Sequence, residues 1–184
     1  MQNLTTAKPA VGVSRYWDRR FAACAFAAAL IDLTTKQLAT SMLGTSEIAL
    51  GDRFGLILIW NTGGPGGASL GPTLWVMNAV MTAIAIAIMS AIAADLGRFH
   101  RLGAVALGIV TGGAIGNLAS MLVDPAGVAD FLALHLSDRT IIFNVADIAL
   151  WSGAWMLIPV VVLLVRAIRV ERKGKSSHAA IRAA

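Results

Sequence analysis

Charge is scarce in this chain and cysteine is almost absent. Only 14% of the 184 residues are charged, 57% are hydrophobic and the mean hydropathy is +0.74. That balance excludes an ordinary soluble domain and reads as an integral membrane protein. The single cysteine, Cys24, lies inside an apolar run, so it has no partner for a disulfide or a cysteine zinc site and reads as a small core hydrophobe. His135 has no second ligand at metal spacing and there is no HExxH motif, which leaves His135 a surface or structural role. No comparable cluster of Ser, His and Asp appears. The pI near 10.1 does not point to nucleic acid, because the basic residues are not interleaved with stacking aromatics. Nor is there an internal repeat or a pair of Gly/Pro-interrupted spans, the usual marks of a transporter.

What is present is four long apolar runs. A hydrocarbon core of about 30 Å needs about 20 helical residues, and residues 21–43, 74–94, 102–123 and 143–165 each supply a span. Arg15, Arg19 and Arg20 ahead of an Ala-rich core resemble the start of a cleaved signal peptide. The run nevertheless continues past Asp32 and Lys36 to Leu43 without a clear small-residue cleavage site, so it is read as the first span. Lys8, Arg15, Arg19 and Arg20 precede that span, Arg98 and Arg101 lie between the second and third, and Arg166, Arg169, Arg172, Lys173, Lys175 and Arg182 follow the fourth. The other two loops hold only Arg53 and Arg139, so the positive-inside rule predicts cytoplasmic termini. The expected organisation is a basic tail over 1–20, a four-helix membrane domain over 21–170 and a basic, disordered tail over 171–184 that lies on anionic lipid.

The segments between spans, 44–72 and 124–142, are then extracytoplasmic, and they carry a small β-rich portion. Phe54, Leu56, Leu58 and Trp60 fall on one side of a predicted strand, with Ile57 and Ile59 on the other. The Gly- and Pro-rich stretch from Asn61 to Gly71 breaks it. In the second segment Pro125 and Gly127 punctuate the chain before FLALHL, a short strand or an interfacial helical turn. Along the third span Gly108, Gly112, Gly116 and Ser120 recur every four residues, a stripe that lets another helix approach closely. Trp75, Trp151 and Trp155 read as interface anchors or packing.

Polar residues within or beside the spans collect at the outer end. Asp32 and Lys36 are four apart on one helical face, suited to an ion pair, which either offsets their mutual desolvation or steadies a neighbouring site. Asn117 lies in the outer part of the third span, Asn144 and Asp147 open the fourth, and Asn61 and Asp130 are outside. A carboxylate kept at the mouth of an apolar run marks a functional site by default. Two that meet can share a proton and hold a water between them. From spacing alone, Asp130 and Asp147 fit such a dyad, and they equally fit two unrelated acids, one capping a helix and one in a loop.

Five blocks in order resemble the lipoprotein signal peptidase (signal peptidase II) family: D-L-T-T-K at Asp32 to Lys36, N-T-G at Asn61 to Gly63, G-G-A-I-G-N at Gly112 to Asn117, V-A-D-F at Val128 to Phe131 and F-N-V-A-D at Phe143 to Asp147. The resemblance covers most of the chain from Asp32 to Asp147. It implies a four-helix aspartyl endopeptidase of the bacterial inner membrane that needs no cofactor or metal. Such an enzyme cleaves diacylglyceryl-modified prolipoproteins before the lipidated cysteine, at the extracytoplasmic face, and a monomer is expected. It implies Asp130 and Asp147 as the catalytic pair and Asp32, Lys36, Asn61, Gly63, Asn117 and Asn144 as substrate-binding or supporting residues. The chain reads as a divergent member. Ser120 and Met121 stand where the family usually has an acid and a substrate-orienting arginine, a glycine-rich loop replaces Gly-Ala-Ala-Phe after Asn61, and Ile148 stands where a serine is common. The competing expectation is a non-catalytic or altered-specificity lipoprotein-binding protein of the same fold.

Overall fold

The computed structural model describes residues 18–44, 46–62 and 71–183. Four helices carry the fold: α1 (Arg19–Met42), α2 (Gly71–Phe99), α3 (Arg101–Val123) and α4 (Val145–Ala183). All four are long and apolar enough to cross a membrane, α4 over Val145–Arg172. They run alternately up and down. Asp18 starts α1 by accepting the amides of Arg20 and Phe21, and His100 starts α3 by accepting the amide of Leu102, so some of the orphan first-turn donors find a side chain.

Helix α3 is the central element: 56% of its apolar window is buried, against 6% for α2. It packs on α1, α2 and α4, whereas α2 and α4 stand apart and leave a groove backed by α3. The predicted small-residue stripe is the α1 contact. A Cβ on Gly112 would press on the carbonyl of Ala25, one on Gly108 on that of Phe21, and one on Gly116 on the Asp32 carboxylate. Helix-to-helix approach this close needs glycine on at least one side.

The two segments between spans form one antiparallel sheet, in order β1 (Ile48–Leu50), β2 (Phe54–Asn61), β3 (Val128–His135) and β4 (Thr140–Phe143). FLALHL is therefore strand, and Asp130 sits in β3 opposite Ile59. The even alternation expected along β2 is broken: Leu56 pairs with Leu132 but Ile59 with Asp130, so two residues of β2 face one of β3. This bulge shifts the side-chain phase by one. Ile59 and Asn61, rather than Leu58 and Trp60, consequently share a sheet face with Asp130. On the other face Glu47 crosses β2 over Gly55, which has no Cβ to block it, and meets His135 at 2.5 Å; the second ring nitrogen of His135 meets Thr140 at 2.9 Å. The structural role expected of His135 is thus a side-chain tie across the sheet.

Two expectations need correction. The fourth helix begins at Val145, not at 143, because Phe143 still pairs with Leu132 as the end of β4. The tail over 171–184, expected to be disordered, continues α4 as helix to Ala183. Its Glu, Arg, Lys and Ala residues favour helix intrinsically, a property that hydropathy does not weigh. The N-terminal tail to residue 17 and the glycine-rich stretch 63–70, Gly63 included, lie outside the described residues.

The bundle has a different core at each end. Away from the sheet, Phe21, Ala93, Ala104 and Leu107 form an apolar cluster with Met89, Leu96 and Leu157 against it. At the sheet end the buried side chains include Asp32, Lys36, Asp130 and Asn144.

Candidate active site

The site is built around the start of α4. Asn144 is the N-cap: its Oδ1 accepts the amide of Asp147 at 3.1 Å, while Asp147 Oδ2 accepts the amide of Asn144 at 3.0 Å. This reciprocal pair is a capping box made by Asn and Asp. The next donor, the amide of Ala146, goes to Asp32 Oδ1 on α1 at 2.8 Å. One helix terminus therefore orients Asp147 and pins α1 to α4.

Asp32 extends the arrangement through its other oxygen. Lys36 Nζ lies 2.7 Å from Asp32 Oδ2 and 2.7 Å from Asn117 Oδ1 on α3. The ion pair expected from four-residue spacing is present, and both partners are buried. Asn117 donates to Asp147 Oδ1 at 3.4 Å and accepts from Asn144 Nδ2 at 3.3 Å. Gly116, beside it, leaves the room that the Asp32 carboxylate occupies.

Asp130 arrives from the sheet. Asn144 Nδ2 donates to its Oδ1 at 2.6 Å and Asn61 Nδ2 to its Oδ2 at 3.1 Å. The second contact depends on the β2 bulge, which turns Asn61 toward the Asp130 face. Asn144 thus holds both acids, Asp147 through its backbone and Oδ1 and Asp130 through its side-chain amide. Burial pushes the Asp130 carboxyl up to about 6; the Asp147 charge adds to the rise, and hydrogen bonds from Asn61 and Asn144 oppose it. Asp130 and Asp147, with Asp32, Lys36, Asn61, Asn117 and Asn144, form one continuous network.

Both acids line a cavity of about 390 Å³ in the groove between α2 and α4. Its sheet end is polar, whereas Ala85, Met89, Val110, Ala114 and Leu150 make the rest apolar. Asn61 and Asp130 also face a second space of about 590 Å³ on the sheet side, where Arg139 lies. The two departures noted at the end of α3 point different ways. Met121 lines the cavity of the two acids, while Ser120 faces a separate space of about 290 Å³ beside Lys36 and returns its hydroxyl to the carbonyl of Gly116. Two further lining residues, Asn78 and Thr82 on α2, stand outside the set expected from sequence. Their signal was present: polar side chains one turn apart in an otherwise apolar run. Among the described residues no group of three or more His, Cys, Asp or Glu side chains is placed to hold a metal ion.

The comparisons agree with this architecture. The family model described as Signal peptidase (SPase) II matches residues 24–163. The chain is 37% identical over 153 residues to the lipoprotein signal peptidase of Symbiobacterium thermophilum, covering 82% of this chain and 95% of that one. It is 30% identical over 144 residues to the lipoprotein signal peptidase of Sulfurihydrogenibium sp., covering 75% and 88%. Two solved structures, each described as a bacterial membrane enzyme, superpose with TM-score 0.69 at 19% identity, one covering 80% of this chain and 90% of its own and the other 79% and 94%. With the family's match spanning most of the chain and its four spans in place, the protein is a membrane protease belonging to the signal peptidase II family.

Proposed function

We propose that the protein is an aspartyl endopeptidase that removes the signal peptide from diacylglyceryl-modified prolipoproteins by cutting before the lipidated cysteine. The observation that carries this reading is that Asn144 holds both acids at the wall of one cavity. Burial pushes Asp130 up to about 6, which disposes it to hold a proton. Two carboxylates that meet at one water can divide the roles of general acid and base. A water held between them attacks the scissile carbonyl carbon as Asp147 takes its proton and Asp130 protonates the carbonyl oxygen. The tetrahedral intermediate then collapses as its C–N bond breaks, Asp147 giving its proton to the departing amine while Asp130 takes one back from a hydroxyl of the gem-diol, which leaves a carboxyl on the signal peptide and the new N-terminus on the cysteine.

Asp32, Lys36, Asn117, Asn144 and Asn61 act by holding these carboxylates in place before substrate arrives, so little reorganisation is left for the reaction itself. The lipid anchor suits the groove, which is polar beside the acids and apolar beyond them. The basic tails and the loop holding Arg98 and Arg101 support cytoplasmic termini and hence a site at the extracytoplasmic face. All of these groups come from one chain, which supports action as a monomer.

Complementation tests the reading. In cells depleted of their own signal peptidase II, expression of this chain is expected to clear accumulated diacylglyceryl prolipoprotein, and the Asp147→Asn variant is expected not to. Persistent precursor at good expression of the wild-type chain favours the lipoprotein-binding alternative, to which Met121 in place of the expected arginine lends support.

A further inference from the structure

Helix α2 is the least buried of the four spans. Val76, Met77, Val80, Met81, Ile84 and Ile88 are exposed along one side, as a lipid-facing helix requires. The opposite stripe, at Asn78, Thr82, Ala85 and Met89, lines the cavity that holds Asp130 and Asp147. An amide and a hydroxyl in such a span are unfavourable without a hydrogen-bonding partner. Among the described residues neither Asn78 nor Thr82 has one. Several other helical hydroxyls are satisfied within the bundle: Thr35, Thr40, Ser41, Ser120 and Ser152 donate back to carbonyls of their own helices, and Thr111 donates to Met89 Sδ. The remaining amides of the cavity are engaged, since Asn61, Asn117 and Asn144 donate to the two carboxylates. Asn78 and Thr82 are therefore the donors on the cavity wall with no acceptor among the described residues.

The order of chemistry along the groove identifies what they would meet. Polar groups at the sheet end give way, beyond Thr82, to Ala85 and Met89 on the same stripe. A cysteine carrying a diacylglyceryl group has its peptide bond at one end, its acyl chains at the other and two ester carbonyls at the junction. Those oxygens accept hydrogen bonds and cannot donate, so carboxylates do not satisfy them and an amide or hydroxyl does. Resting on the proposed function, we infer that Asn78 and Thr82 are substrate-binding residues that donate, from Nδ2 and Oγ1, to the ester carbonyls of the glyceryl group on the substrate cysteine.

The test compares two synthetic lipopeptides in detergent micelles with the full-length protein. They differ only in that one carries a diacylglyceryl cysteine and the other its dialkyl ether, which lacks both carbonyls. The wild type is expected to favour the ester by about 10-fold in kcat/KM, as two modest hydrogen bonds would give. The Asn78→Leu/Thr82→Val variant is expected to lose that preference through a raised KM on the ester, with the ether cleaved as before. Thr82→Ser, which keeps the hydroxyl, is expected to retain it. Equal cleavage of ester and ether by the wild type overturns the inference without reference to any variant, and so does a preference that survives in the double variant. Failure of the wild type on both peptides overturns the proposed function itself and is distinguishable from either result.

Discussion

Asp130 is the residue at which stability and chemistry pull in opposite directions. Its folded value of about 6 lies above the ordinary 3.8, so the native state binds a proton more tightly than the unfolded chain does. The stabilisation linked to that proton is complete below about pH 4 and is lost as pH rises through about 6, a change on the order of 3 kcal/mol. Asp130→Asn removes the ionisation. It is expected to abolish cleavage while raising the melting temperature relative to wild type at pH 8, with the advantage gone near pH 4; thermal unfolding in detergent at both pH values measures this. Lys36 presents the reverse case. Lys36→Met strands the buried Asp32 carboxylate and is expected to destabilise the protein by about 3–5 kcal/mol. Adding Asp32→Asn recovers part of that loss, because Oδ1 still accepts the amide of Ala146, and denaturant titration of the three variants reads the difference.

At the scale of elements, the contact between α1 and α3 and the start of α4 decide whether the site assembles. Gly112→Ala places a methyl against the Ala25 carbonyl, a backbone atom that cannot swing aside, and is expected to cost about 1–3 kcal/mol by overpacking. Unfolding measurements on the variant check this, and activity per folded molecule is expected to fall as Asp32 moves with α1. The spans and this stripe were legible in the sequence because each depends on a local repeat of apolar or small residues. Asn144 was legible as polar and near the site. Its place as N-cap was less so, since that depends on Phe143 belonging to a strand, which only pairing with Leu132 decides. The helical end of α4 escaped for a different reason. Hydropathy separates membrane from water but does not distinguish helix from disorder among basic residues.

Across the whole molecule, the arrangement predicts how activity follows pH. In the proposed mechanism Asp130 must be protonated, so kcat/KM, which reports the free enzyme, is expected to have an alkaline limb with its midpoint near pH 6; initial rates from pH 5 to 8 on one lipopeptide measure it. The residues that meet at the site come from α1, β2, α3, β3 and α4, and their types were readable one block at a time. What joins them was not readable, because strand register is set by partners distant in sequence. The bulge in β2 illustrates the consequence in terms of chain length. Two residues, Ile57 and Leu58, occupy the space opposite one residue of β3, so the strand holds a spare residue at that point and nowhere nearer Asn61. Deleting Leu58 is expected to regularise the ladder while leaving Ile59 opposite Asp130, and to preserve most activity. Deleting Trp60 instead carries Asn61 to the far face, away from Asp130, and is expected to abolish it. Tolerance to loss of a residue thus changes within two positions, a boundary that no substitution scan of β2 would detect.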